Sequence, residues 1–311
     1  MGHEKSIVVL GTGGTIAGAA ASAADHVGYQ AGQIPVQQLL ADIPALADVS
    51  VVTEQVAQID SKDMEPAVWV TLARRCQHWL EQPDVAGVVV THGTDTLEET
   101  AYFLHRVLAP ARPVVLTCAM RPATALSPDG PQNIADAIAV VRTPGARGVV
   151  AVCAGRVHAG VGVRKVHPYR LDAFSSGDAG VLGHVEDGRV RQLREWPAQG
   201  APVLPLDKLE APQGWPRVEI VLSHAGASGR AVEALVRDGV QGLVVAGTGN
   251  GSLHAALEGA LVAAAGQGVP VLRSTRCAEG QVVGRADGPL LATSLTPVQA
   301  RVELLLQLLS R

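Results

Sequence analysis

Four segments gather hydroxyls, carboxylates and glycines at spacings that could do chemistry. They are Gly11-Thr-Gly-Gly-Thr-Ile-Ala-Gly18, Thr91-His-Gly-Thr-Asp-Thr96, Ala119-Met-Arg-Pro122 and Gly247-Thr-Gly-Asn-Gly251. Each follows a short apolar run, and in open α/β sheets ligands bind beyond the carboxyl ends of the strands. The first segment is not a dinucleotide loop, because the third glycine of GxGxxG is replaced by Ile16. Nor is it a Walker loop, since no Gly-Lys-Ser/Thr follows. What it supplies is Thr15, a hydroxyl on a glycine-rich backbone. Taken alone, a plain turn with an incidental threonine explains it better. The second segment shifts that balance. Thr94 offers a hydroxyl and Asp95 a carboxylate just before a predicted helix N-terminus, whose free N–H groups and dipole favour anions. A helix cap accounts for Thr96 but not for the other polar residues around it.

The elements that must position these groups are legible as apolar runs and helical patterns. Runs at 6–10, 85–90, 113–118, 148–152, 218–222, 242–246 and 270–272 are mostly apolar rather than alternating, which suits strands buried on both faces of a parallel sheet. Helices are predicted over 64–80, from Thr96 to 108, over 131–142, from Ser228 to 238 and from Thr296 to 309. Thr96 with Glu99 reads as a capping box; Asp129 and Ser228 are candidate caps, and Thr296 is followed by Pro297 at the first helical position. The helix over 64–80 carries Trp69, Leu72 and Trp79 on a face that reads as core. Strands alternating with helices indicate an α/β protein with two open, mostly parallel-sheet (Rossmann-like) domains. Five prolines between 196 and 216 mark an inter-domain linker, giving a larger domain over 1–196, a linker over 197–216 and a smaller domain over 217–311.

Composition excludes several functions. The chain has 311 residues, 47% hydrophobic and 17% charged, with a formal net charge of −4, so it can bury sizeable cores and advertises no nucleic-acid partner. Aromatic residues are 3% of the total, too few for base-stacking platforms. No apolar stretch reaches the roughly 20 residues that span a membrane. Cys76, Cys118, Cys153 and Cys277 lack metal-ligand spacing, so neither a metal nor a disulfide scaffold is expected.

Thr12-Gly-Gly-Thr-Ile-Ala-Gly18 and Thr91-His-Gly-Thr-Asp-Thr-Leu-Glu-Glu-Thr-Ala-Tyr102 closely resemble the two signature segments of the bacterial-type L-asparaginase (asparaginase/glutaminase) family. The resemblance continues through Asp60-Ser-Lys-Asp-Met64, Ala119-Met-Arg-Pro122 with Ser127-Pro-Asp-Gly-Pro131, and Gly247-Thr-Gly-Asn-Gly251 with Arg273-Ser-Thr-Arg276. It implies hydrolysis of a side-chain amide to a carboxylate and ammonia, without a cofactor. Thr15 takes the nucleophile's place, Tyr29 that of the lid tyrosine beside it, and Thr94, Lys165 and Asp95 that of the second catalytic group. Tyr29 stands one residue further from Thr15 than in the best-known bacterial members. His92 supports the turn in this scheme rather than moving protons. The resemblance places Ser61, Lys62, Thr94, Asp95, Ala119, Asn250 and Asp287 around a zwitterionic amino acid, with Asp95 suited to its ammonium and Ser61 to its carboxylate. Asn250 and an acidic residue would come from a neighbouring subunit, Asp287 being the first choice and Glu279 the rival.

Two positions depart from the family pattern: Lys62 stands where glutamine is usual, and Ser252 where the second asparagine of its turn is usual. The resemblance implies a homotetramer built as a dimer of dimers. The apolar run Ile7–Leu10 is too short for a signal segment, so a cytoplasmic chain is expected, or a periplasmic one if a signal peptide preceded the numbering. The half-cystine region near Ala109-Pro110 holds no cysteine to pair with Cys76, which agrees with a reducing compartment. An asparaginase is expected first, then a dual asparaginase–glutaminase. A nucleotide-dependent oxidoreductase and a catalytically weak amino-acid-binding homologue rank behind.

Overall fold

A computed structural model describes residues 5–25, 27–41, 43–198, 200, 202, 204–209, 214–284 and 288–311. The chain divides into two units, Met1–Leu206 and Asp207–Arg311. The first contains β1 (Ser6–Gly13), α1 (Val36–Ala41), β2 (Val51–Ile59), α2 (Pro66–Glu81), β3 (Val85–Thr91), α3 (Leu97–Leu108), β4 (Val114–Thr117), α4 (Gly130–Arg142), β5 (Val149–Cys153), β6 (Arg156–Ala159), β7 (Arg164–Lys165), β8 (Phe174–Ser175), β9 (Gly183–Glu186) and β10 (Arg189–Gln192).

Eight strands form one sheet in the order β10-β9-β6-β5-β4-β3-β1-β2. The run β2-β1-β3-β4-β5 is parallel, and β6, β9 and β10 extend it antiparallel. The chain leaves β1 towards β2 on one side and leaves β3 towards β4 on the other. That reversal makes the β1/β3 boundary the switch point where doubly wound sheets open a crevice. Ile7, Val9, Val89, Val115 and Val150 pack with Val36 and Leu40 of α1 and Ile134 and Ile138 of α4. The alternate residues Val8, Leu10, Val88 and Val90 are equally buried, as the period of two requires when both faces are covered. α2 and α3 meet through Trp69, which stacks on Phe103 at 5.0 Å and donates its indole N–H to the Thr100 hydroxyl at 2.8 Å. Leu72 is fully buried as expected, but Trp79 is only half-buried; its indole N–H instead reaches the Glu54 carboxylate at 2.8 Å.

The second unit contains β11 (Val218–Leu222), α5 (Arg230–Arg237), β12 (Gly242–Gly247), α6 (Ala255–Gly266), β13 (Val271–Thr275), β14 (Leu291–Ala292) and α7 (Pro297–Leu309). Its four strands are parallel in sequence order. Thr296 caps α7 as expected, in a full capping box with Gln299 and with Pro297 in the first turn.

Three other caps differ from expectation, two of them because a more distant partner claims the side chain. The Thr96 hydroxyl donates to the Ser61 carbonyl at 2.8 Å and does not cap α3. Asp129 does not cap α4; its carboxylate accepts the Met120 and Arg121 amides at 3.0 and 2.9 Å. At α5 the N-cap position is Gly229, one residue after Ser228. Among the described residues, no helix is long and apolar enough to cross a membrane, and no group of His, Cys, Asp or Glu is arranged to hold a metal.

Candidate active site

The sheet delivers two threonine-bearing turns side by side. β1 ends at Gly13, and Gly14 leads into Thr15–Ala17, which makes a single 3₁₀ turn. Gly14 adopts φ 82°, ψ −174°, a conformation essentially reserved for glycine. It needs no side chain for a second reason: a Cβ there would collide with the Gly93 backbone. Gly93 in turn has no room for a Cβ against Ser61, whose Cβ would lie 2.6 Å away. The ends of β1, β3 and β2 therefore converge at backbone distance, with Thr15, Thr94 and Ser61 around the junction.

Thr15 is buried, and its hydroxyl lies 2.6 Å from the Tyr29 phenol oxygen. Tyr29 arrives on the loop between β1 and α1, which is closed by paired Ala19 and Gln30 backbone bonds of 2.9 Å. Thr94 is likewise buried. Lys165, on β7, donates from Nζ to Thr94 Oγ1 at 2.8 Å and to Asp95 Oδ1 at 2.6 Å. Lys165 is largely shielded, at 16% side-chain exposure, while Asp95 keeps 54%, so part of the carboxylate stays accessible. Ser61 is buried and its hydroxyl accepts the Asp95 amide at 3.2 Å. The structure thus brings Thr15 with Tyr29, and Thr94, Asp95 and Lys165 with Ser61.

Lys62 is placed differently. Its ammonium binds Asp60 Oδ2 at 2.7 Å and Asp63 Oδ2 at 3.2 Å on the exposed side of the loop, and the hydrogen bond to Asp60 raises its pKa. Ala119 is buried at the end of β4, in the segment that Asp129 pins through its two amide bonds. His92 is fully buried and its Nδ1–H donates to the Gly93 carbonyl at 2.7 Å; burial pushes its pKa down to about 4, so it stays neutral as a turn support.

In the second unit, Asn250 spends its amide on the Val283 backbone, with contacts of 2.5 and 2.7 Å, and Ser252 pairs with Thr248. Glu279 is exposed in that unit, and Asp287 lies outside the described residues. Sequence reasoning missed Asn133, a buried amide on α4 that donates to the Cys118 carbonyl at 2.8 Å and accepts the Ala154 amide at 3.0 Å. It holds the ends of β4 and β5 together behind Ala119. Its only local signal was a polar residue on an otherwise apolar helix face.

Comparison with known proteins decides the family. Residues 6–198 match the model described as Asparaginase, N-terminal, and residues 217–310 match the Glutaminase/Asparaginase C-terminal domain. The chain belongs to the asparaginase family. It is 37% identical to an L-asparaginase 2 of Bacillus subtilis (strain 168), across 97% of this chain and 82% of that one. It is 38% identical to a glutaminase-asparaginase of Pseudomonas fluorescens biotype A, across 96% and 84%. Among solved structures, a probable cytoplasmic L-asparaginase from Campylobacter jejuni superposes with a TM-score of 0.92 at 39% identity, covering 98% of this chain and 95% of that one. The asparaginase fold is thus present over nearly the whole chain.

Proposed function

We propose that this asparaginase-family chain is an amidohydrolase that converts L-asparagine to L-aspartate and ammonia, with Thr15 as nucleophile. The observation that carries the reading is the pair of buried hydroxyls at the switch point, one on a phenol and the other on a lysine. Thr15 Oγ1 attacks the side-chain amide carbon, and Tyr29, 2.6 Å away, relays the proton: its phenol takes the threonine hydrogen as it passes its own towards the leaving amide nitrogen. Ammonia leaves with a proton from the site, and the acyl group remains as an ester on Thr15. Water then splits the ester, releasing aspartate and restoring the hydroxyl. Thr94, held by Lys165, orients and exchanges protons at the reacting group; such general acid–base help gives roughly 10²–10⁴-fold. Backbone N–H groups of the two glycine turns serve the oxyanion.

The half-exposed Asp95 carboxylate suits the substrate ammonium, and the Ser61 hydroxyl its carboxylate. Lys62 faces Asp60 and Asp63 in this reading and acts on the pocket only through that loop. Ala119 forms part of the wall. The same reading carries a homotetramer of paired dimers in the cytoplasm, in which Asn250 and Asp287 of a neighbouring subunit complete each site. No cofactor takes part. A dual asparaginase–glutaminase is the second reading, favoured by the similarity to a glutaminase-asparaginase. One methylene changes binding by only about 1–3 kcal/mol, so the pocket need not separate the two amides strongly.

The test is ammonia release from L-asparagine and L-glutamine by the purified protein and by Thr15→Ala. The variant should lose at least about 10³-fold in kcat, the scale of losing a nucleophile. Full activity in the variant would refute the nucleophile assignment. Asparagine binding without ammonia release in the unaltered protein would make the chain a binding homologue.

A further inference from the structure

Glu98, the second residue of α3, lies against this machinery with no part in the scheme above. Its carboxylate accepts a hydrogen bond from the Lys165 backbone N–H. The β7/β8 ladder leaves that N–H available. The Val166 amide donates to the Ala173 carbonyl, so the neighbouring Lys165–Phe174 pair is the one whose N–H groups turn away from the partner strand. At its other end Lys165 donates from Nζ to Thr94 and Asp95. One short segment, residues 94–98, therefore grips Lys165 twice: Thr94 and Asp95 take the ammonium and Glu98 takes the backbone.

We propose that Glu98 is the positioning residue of Lys165, a carboxylate clamp that fixes the β7 backbone so that Nζ reaches Thr94, and that the clamp governs turnover rather than substrate binding. The proposal rests on the reading that the Lys165–Thr94 pair serves the reaction. Burial pushes the Glu98 carboxyl up to about 7; the Lys165 N–H opposes that shift, the neighbouring Glu99 adds to it, and Arg164 and the Lys165 ammonium oppose it. α3 packs on α2, where Trp69 meets Thr100 and Phe103, and on the wholly buried strand β5. An ionised carboxylate is a markedly stronger acceptor than a protonated one, so the clamp tightens as pH rises through about 7.

The experiment is the pH profile of kcat and KM for asparagine hydrolysis by the full-length protein, Glu98→Gln and Glu98→Asp, with Lys165→Met as reference. The unaltered protein should gain about 3- to 10-fold in kcat between pH 6 and 8, less than the hundred-fold attached to a 1 Å misplacement. Gln keeps an acceptor oxygen but does not ionise. Its profile should be flat over that interval, with kcat at pH 8 lower by a similar factor and KM unchanged. Asp keeps the charge on a shorter arm, so it should retain a titrating step at reduced kcat. A Glu98→Gln enzyme with the original step and the original kcat overturns the clamp while leaving the catalytic reading intact. A Lys165→Met enzyme with undiminished activity sinks that reading itself. Circular dichroism of each variant separates a lost clamp from a lost fold.

Discussion

Substituting Gly14 by alanine tests whether backbone contact between the two turns sets the catalytic geometry. Gly14 sits at φ 82°, ψ −174°, where a Cβ costs on the order of 1–3 kcal/mol. The added methyl would also overlap Gly93 N and Cα and stand 2.9 Å from the His92 carbonyl carbon. These are backbone atoms of a turn ending β3, which is buried except at the partly covered Ala86, so no side chain can swing aside. The turns must part by on the order of 0.5–1 Å, which carries Thr15 away from the Thr94–Lys165 pair, and misplacement on that scale costs roughly 10²-fold in rate. Gly145→Ala is the matched control. Its φ is +76°, yet nothing lies within 4 Å of its Cβ. Both variants should lose stability in urea titrations, and only Gly14→Ala should lose kcat, by about 30- to 300-fold in an ammonia-release assay. If Gly14→Ala folds and keeps more than about a third of the original kcat, close approach of the turns is not what positions the threonines.

Two further outcomes follow from charge. Lys62→Gln should change KM for asparagine less than about threefold, because the ammonium is exposed to solvent screening and already held by Asp60 and Asp63; a tenfold change in KM, or in the asparagine-to-glutamine ratio, would show the lysine reaching substrate. Burial lowers the pKa of both His92 and His158 to about 4, so each is neutral when folded and binds a proton on unfolding below its usual 6.5. Their stability contribution is present above pH 6.5 and is lost as pH falls through 4, roughly 3 kcal/mol for each, readable as a falling urea midpoint between pH 7 and 4. A midpoint independent of pH over that range would contradict it.

Apart from β2 and the two-residue β14, the parallel strands were legible because a strand covered on both faces is apolar at nearly every position; β11 was read as well, although Glu219 interrupts it and Ile220 and Leu222 stand exposed. β2 was not, since Val51–Ile59 is half-buried and interleaves Thr53, Glu54, Gln55 and Gln58. The antiparallel strands β6, β9 and β10 are four residues each and partly polar, too short for a pattern to emerge. α6 escaped because Ala255–Gly266 is alanine-rich and shows no distinct apolar stripe. The misplaced caps share one cause. Thr96 and Asp129 have the side chains that cap helices, but Ser61, Met120 and Arg121 offer competing partners that only the folded chain brings near. The site divides the same way. Thr15, Thr94 and Asp95 announce themselves within short segments, whereas the Gly14–Gly93 contact and the grip of Glu98 on Lys165 join residues 67 or more positions apart, or turns from different strands, and leave no local trace.

The two halves of the site are built on supports of unequal stiffness, and this bears on which contact governs turnover. Thr94 and Asp95 sit at the end of the buried strand β3, Ser61 is itself buried beyond β2, and Lys165 is tied to Thr94 and Asp95 by its ammonium. Tyr29 comes from an exposed loop in which Val27 is 79% exposed, attached through the Ala19–Gln30 bonds, an Ala20 amide to Thr124, and a Leu126 amide to the Ala23 carbonyl. Few buried apolar contacts and solvent-facing hydrogen bonds mark a segment that opens at low free-energy cost. Opening it would break the Thr15–Tyr29 contact while leaving the Lys165 group in place. Substrate access and nucleophile activation would then be coupled through a single phenol: the loop must move for asparagine to enter and must return before Thr15 has its partner.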